Sequence, residues 1–126
     1  MPTSVLLSVK PEFARAIFAG TKTYEFRRAL FISPDVARIV VYASSPLQRV
    51  IGDFRVDRIL SMSPKDLWLA THHGAGITQD YFKSYFRGRS IGHAIEVHEP
   101  RRFSRSRRLT EHYGLLRPPQ SFCYLD

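Results

Sequence analysis

Residues 37–43 read ARIVVYA, a run of strand length that is apolar at both of its alternating sets of positions apart from Arg38. Successive strand side chains point to opposite faces, so such a run has no side to give to water. It predicts a central strand, paired on both edges and covered on both faces. Ser44, Ser45 and Pro46 end the run. From 50 to 60, Val50, Gly52, Phe54 and Val56 alternate with Asp53, Arg55 and Asp57, which predicts a half-exposed antiparallel strand. Residues 5–9 (VLLSV), 24–27 and 91–97 carry further strand patterns, giving four or five strands.

Short helices fall between these strands. Pro11 and Glu12 suit a first helical turn, Phe13, Ala14, Ile17 and Phe18 recur at helical spacing, and Gly20 supplies a left-handed cap. Ser63, Pro64 and Asp66 predict an N-cap for a short helix through Leu67 and Trp68, broken by the loop HHGAG. Thr78 caps a further helix, with Gly88 expected to end it as Gly20 ends the first. Its Tyr81, Phe82, Tyr85 and Phe86 have the spacing of a helix docked on a core, a role that Trp68 shares. Residues 101–108 (RRFSRSRR) read as part of a tail, followed by a helical turn near 110–113 and the closing PPQSFCYLD. The order predicts an α+β fold, a small mixed sheet or partly closed β-barrel flanked by short helices, with one domain over residues 1–126.

Charge narrows the partners. Nineteen Lys and Arg against eleven Asp and Glu leave a formal net charge of +8, which concentrates polyanions near the surface, so RNA or a nucleotide is the expected partner. One cysteine, Cys123, allows no internal disulfide, and the polar residues between 2 and 15 interrupt any leader-like run; the expectation is a cytoplasmic protein. No apolar stretch reaches the roughly 20 residues that span a bilayer, so no membrane partner is expected. His72 and His73 are adjacent, His93 and His98 face opposite ways on a strand, and no metal or cofactor is predicted. Phosphate-loop, dinucleotide and serine-esterase motifs are missing, which removes support for those chemistries.

The segments LLSVKPEFARAIFAGTKTYEFRR, VVYASSP, VIGDFRV, IGHAIEV and PPQSF follow one another in an order that resembles the ASCH domain of the PUA-like superfamily. The family signature, a helix followed by Gly-x-Lys-x-x-Glu-x-Arg, is matched by Gly20, Lys22, Glu25 and Arg27, and the resemblance covers nearly the whole chain. It implies a small curved β-barrel with a cleft beside the Lys, Glu and Arg. The implied function is an RNA- or modified-nucleoside-binding module with a regulatory role in translation or transcription. The alternative is a nucleoside- or RNA-directed hydrolase, a ribonuclease or an acylated-nucleoside amidohydrolase, using Lys22 and Glu25.

The residues themselves keep both classes open. Glu25 and Arg27 share a strand face, so they can form a structural ion pair at a barrel rim; equally, Arg27 can hold Glu25 as an acceptor for the amino edge of a base. Lys22 sits in the loop before the strand and reads either as a solvated lysine, as a phosphate contact, or as a base whose pKa is depressed. The amidohydrolase pattern needs a threonine where Glu25 stands and a distant glutamate, whereas the region after Trp68 offers Thr71, His72 and His73. Tyr42, Ser44, Ser45, Gln120 and Ser121 are turn-flanking polar residues to which the resemblance gives a ligand-lining role. Arg101, Arg102, Arg105, Arg107 and Arg108 crowd eight residues without an acid, and contact with a phosphate backbone is the expected use.

Overall fold

The computed structural model describes residues 3–125. It opens with β1 (Thr3–Val9) and α1 (Pro11–Ala19), followed by β2 (Tyr24–Arg27), β3 (Val36–Ala43) and the long β4 (Arg49–Met62). Then come α2 (Pro64–Thr71), a single 3-10 turn (His72–Gly74), α3 (Gln79–Tyr85), β5 (Gly92–Arg107), α4 (Leu109–Tyr113) and β6 (Phe122–Leu125).

Local chemistry accounts for most of these boundaries. Pro11 and Glu12 start α1, and Gly20, with φ of 84°, ends it by donating its amide to the carbonyls of Ala16 and Ile17. The Ser63 hydroxyl accepts from the Asp66 amide at the start of α2, and the Thr78 hydroxyl from the Tyr81 amide at the start of α3. The end of α3 differs from expectation: Phe86, with φ of −94°, forms the cap, and Gly88, with φ of 78°, lies in the turn beyond.

The six strands form one sheet in the order β2-β5-β4-β3-β1-β6, so β3 is central as its two apolar faces demand. Among the described residues only the β1–β3 pair runs parallel. Two segments expected to be tail are strands. The arginine-rich stretch is the second half of β5, pairing Arg101 with Asp53, Arg102 with Gly52 and Arg107 with Val50. It lacks a strand's apolar alternation because most of its side chains face solvent, so only the backbone ladder specifies it. Gly52 permits that ladder: a Cβ there would meet the Arg101 carbonyl at 2.5 Å and the Phe18 ring at 2.5 Å.

Three apolar clusters show how the sheet bends. Val5, Leu7, Ile39, Val41, Ile51 and Ile95 meet under Ala14 and Ile17 of α1, a contact between strands three places apart that requires a concave face. The other face is convex and carries two separate clusters. One joins Tyr24, Phe26 and Ala94 to Leu67, Phe82 and Phe86 of α2 and α3, and the other joins Leu6, Val40, Tyr42 and Val50 to Leu109 of α4. Backbone pairing does not close the sheet into the barrel that the resemblance implies, because β2 and β6 remain its two edges.

Candidate functional site

The signature residues sit where the curled sheet brings its ends together. A cavity of about 190 Å³ opens there, lined by the end of β1 with Lys10 after it, Phe13, Lys22, residues 25–28 of β2 and just beyond, Ile77, Tyr81, Tyr85 and Gln120. It is smaller than the roughly 300–1,000 Å³ of drug-sized pockets and suits one planar group.

Lys22 is buried, 2% exposed, rather than a solvated loop lysine. Gly20 turns the chain back, so the Lys22 amide reaches the Ala16 carbonyl and its side chain runs inward. Its Nζ donates to the Ala75 carbonyl at 2.9 Å and lies 4.7 Å from the Phe26 ring centre and 5.5 Å from that of Phe13. Burial lowers its pKa, an effect that the Glu25 carboxylate partly offsets. The HHGAG loop forms the roof: a Cβ on Gly76, whose φ is 66°, would lie 2.6 Å from Lys22 Cβ.

Glu25 and Arg27 project from the same side of β2, as the two-residue spacing requires. Arg27 Nη1 donates to Glu25 Oε2 at 3.1 Å and to the Ser8 carbonyl at 3.2 Å. Nη2 donates to the Ser121 hydroxyl at 2.7 Å and the Ser121 carbonyl at 3.1 Å. The pair is therefore a buried bridge between sheet edges, not a solvated rim pair. Glu25 Oε1 accepts no hydrogen bond from a described residue, and no buried polar side-chain atom is left unpaired, so this oxygen opens to the cavity.

The mouth carries residues that the sequence reading had assigned to the core or passed over. Tyr81 and Tyr85 stack with rings 13° from parallel and centres 6.5 Å apart. Lys10 Nζ lies 5.3 Å from the first ring centre, and the Arg28 guanidinium lies 4.7 Å from the second. Phe82 and Phe86 do belong to the core, so α3 splits into two stripes. The signal was present in the residue types, since each tyrosine carries a hydroxyl that a core stripe must satisfy. Tyr85 satisfies its own on the Phe26 carbonyl at 3.2 Å.

The remaining ligand-lining expectations divide. Gln120 lines the cavity and Ser121 reaches it through Arg27. Tyr42 does not line it; its ring is buried in the α4 cluster on the convex face, where burial raises its hydroxyl pKa. Register nevertheless puts Tyr42 opposite Ser8, whose amide bonds the Ser121 carbonyl, so Tyr42 of β3, Ser8 of β1 and Ser121 just before β6 form one row. Ser44 and Ser45 stand in the turn after β3, where the Ser44 amide bonds the Val9 carbonyl, and neither lines the cavity.

Along β5 the arginines are not equivalent. Arg101 is compensated after all, by Asp53 at 2.9 Å, a carboxylate that Arg38 also holds. Arg107 lies 3.9 Å from the Phe103 ring centre and donates to the Tyr113 hydroxyl. Arg102, Arg105 and Arg108 are exposed, the last within 3.9 Å of Glu111. Among the described residues no group of three or more His, Cys, Asp or Glu is placed to hold a metal ion. No helix of the described residues is long and apolar enough to cross a membrane.

No protein-family model matches the chain. Among curated proteins it is 33% identical over 122 residues to an ASCH domain-containing ribonuclease of Zymomonas mobilis, covering 95% of this chain and 82% of that protein. The crystal structure of ASCH from Zymomonas mobilis superposes with a TM-score of 0.90 at 31% identity, covering 98% of this chain and 87% of that one. A tyrosine-to-phenylalanine variant of the same protein gives 0.90 at 30% identity. The N-terminal domain of Staphylothermus marinus McrB, at 13% identity and a TM-score of 0.53, shares the fold alone. Identity of this degree over nearly the full length, with the Lys22, Glu25 and Arg27 spacing intact on β2 and the loop before it, makes this chain a member of the ASCH-domain family.

Proposed function

We propose that this chain binds single-stranded RNA, taking one unpaired base into the cavity beside Lys22 and Glu25 while the arginines of β5 hold the phosphate backbone. The observation that carries the reading is the cavity itself. It combines aromatic walls with four cationic side chains (Lys10, Lys22, Arg27 and Arg28) against the single carboxylate of Glu25. An anionic chain with planar groups is the ligand that matches both features. Tyr42, Ser44 and Ser45 are left to contacts outside the cavity, and Gln120 and Ser121 to its edge. No cofactor is needed, and the lone cysteine suits a cytoplasmic setting.

A second reading is favoured by the ribonuclease of Zymomonas mobilis, which is similar over 95% of this chain. RNA cleavage would have the neutral form of Lys22, which burial favours by lowering its pKa, accept the 2′-hydroxyl proton as that oxygen attacks the adjacent phosphorus. The 5′-oxygen then leaves with that proton, handed on from the Lys22 ammonium with the Glu25 carboxylate as shuttle, and a 2′,3′-cyclic phosphate remains. The amidohydrolase alternative has less support, because the roof over Lys22 supplies the Ala75 carbonyl and no glutamate.

Short single-stranded and duplex RNAs titrated by fluorescence anisotropy, with mass spectrometry of the mixtures, test both readings. Saturable binding of single strands with intact RNA recovered supports the module, and cyclic-phosphate products support the enzyme. No binding to any RNA would refute the function proposed. If cleavage occurs, Lys22→Arg should abolish it, because arginine does not deprotonate in the working pH range. Under pure binding, affinity should stay within about tenfold.

A further inference from the structure

We infer that the cavity is a mononucleotide site selective for a base bearing an exocyclic amino group, with its phosphate seated between Lys10 and Arg28 at the mouth. The inference rests on the RNA-binding reading and goes further, to the base class and to a separate phosphate subsite.

The base selectivity follows from the Glu25 carboxylate. A carboxylate accepts and does not donate. Arg27 occupies Oε2 from one side and is itself held by Ser8 and Ser121, so the carboxylate is fixed in orientation. Oε1 has no partner among the described residues and is open to the cavity, in a residue only 5% exposed. A buried acceptor of this kind selects a ligand donor and penalises its absence. The exocyclic amino group of cytosine, adenine or guanine supplies one, and acidic side chains are known partners of the cytosine amino group. Uracil offers only its ring N3–H, flanked by two carbonyl oxygens that a carboxylate repels.

The phosphate subsite follows from the twin cation and tyrosine pairs. Lys10, between β1 and α1, and Arg28, just past β2, both line the cavity, each over one of two nearly parallel rings. Among the described residues no carboxylate lies within salt-bridge distance of either, Glu12 acting on Lys10 only from further off. Stacking on a ring face uses the cation's charge; the Arg28 guanidinium keeps its N–H donors, and the Lys10 ammonium, held charged chiefly by the Tyr81 hydroxyl, has two N–H groups beyond the one that meets Tyr81. Because both cations line this one small cavity, a single phosphate at its mouth is the group that both can meet. The interior is small enough for a single base, so base and phosphate must belong to the same nucleotide or to adjoining ones.

Calorimetric titration of the full chain with CMP, UMP and cytidine tests the inference, alongside oligocytidines with and without a 5′-phosphate. CMP should bind at least tenfold more tightly than UMP, and at least tenfold more tightly than cytidine. Glu25→Gln should remove the first ratio and spare the second, because an amide also donates and can meet uracil's carbonyl. Lys10→Ala with Arg28→Ala should remove the second ratio and spare the first. Thermal midpoints near wild type establish that each variant is folded; should Glu25→Gln fail to fold, AMP and GMP against UMP on the wild type read the same selectivity. Equal affinities for CMP and UMP, or ratios that the folded variants leave unchanged, would overturn the inference. Binding of unphosphorylated oligocytidine with no mononucleotide bound also overturns it and leaves RNA binding standing. Loss of every oligonucleotide as well removes both. Tighter binding of the 5′-phosphorylated oligocytidine than of CMP identifies a strand end as the source, and the reverse order identifies the free nucleotide.

Discussion

Arg27 Nη2 lies 2.7 Å from the Ser121 hydroxyl, and these two residues belong to opposite ends of the sheet, Arg27 in the edge strand β2 and Ser121 immediately before the other edge strand β6. The seam of this curled sheet is thus bridged by a side chain where a closed barrel would have a backbone ladder. The same guanidinium holds Glu25 in the cavity. Closing the fold and orienting the site are therefore one task, carried by one residue.

Arg27→Ala should consequently destabilise the protein well beyond the ~1 kcal/mol expected of a surface pair. The guanidinium and Glu25 side chains are 11% and 6% exposed, and truncation leaves a buried carboxylate without its cation. Breaking such a pair typically costs about 3–5 kcal/mol, which lowers the thermal midpoint by roughly 10 °C or more in a domain of this size. Calorimetry of wild type and variant reads it. A midpoint within a few degrees of wild type would show that packing alone holds the seam.

Lys22 makes stability depend on alkaline pH in a predictable direction. Its pKa in the fold lies below the ordinary 10.5, because burial disfavours the ammonium. The unfolded chain then binds the proton more tightly than the folded one, so this contribution rises with pH from the folded value up to 10.5 and is lost as pH falls through that window. Lys22→Met removes the effect. The midpoint difference between variant and wild type should shift in favour of wild type as pH climbs toward 10.5. Tyr42 and Tyr85, whose pKa values burial raises above 10.0, act in the opposite sense but are common to both proteins and cancel.

The roof glycine separates steric from conformational cost. Gly76→Ala must adopt a φ near 66° and also push a Cβ to 2.6 Å from Lys22 Cβ, whereas Gly88→Ala has a φ near 78° and open space around it. Urea unfolding should show about 1 kcal/mol lost at Gly88 and roughly 1–3 kcal/mol more at Gly76. Equal losses at the two positions would mean that the roof loop moves aside freely.

Backbone contact by β5 has a salt signature. Arg102, Arg105 and Arg108 are exposed, so replacing all three by Ala leaves the core untouched. The slope of log K against log salt for single-stranded RNA should fall in magnitude by about 2, at roughly 0.7 per phosphate contact, while the ranking among RNAs survives. An unchanged slope assigns these arginines to solvent or to another partner.

Much of this architecture was legible in residue order. The two apolar faces of residues 37–43 placed β3 at the centre of the sheet, and Pro11 with Gly20 bounded α1. What escaped had no local signal. Arginines 101 to 107 lie in a strand because β4 offers them a partner, and no alternation marks a strand whose side chains mostly meet water. Lys22 lay in a loop by sequence, and its burial depends on a roof more than fifty residues later in the chain. Tyr81 and Tyr85 shared the spacing of Phe82 and Phe86, and helical periodicity does not say which of two adjacent stripes faces the core and which a cavity.

Seam closure by a side chain has a dynamic consequence for the C-terminal end. β6 is four residues long and among the described residues pairs only with β1, so its amides at 122–125 exchange with solvent whenever that short ladder opens. Arg27 fastens this strand to the wall of the cavity, and a ligand that immobilises Glu25 and Arg27 tightens the fastening. Deuterium uptake at residues 122–125 therefore becomes a remote readout of whether the cavity is filled, with slower exchange on ligand addition in the wild type and no such slowing in Arg27→Lys.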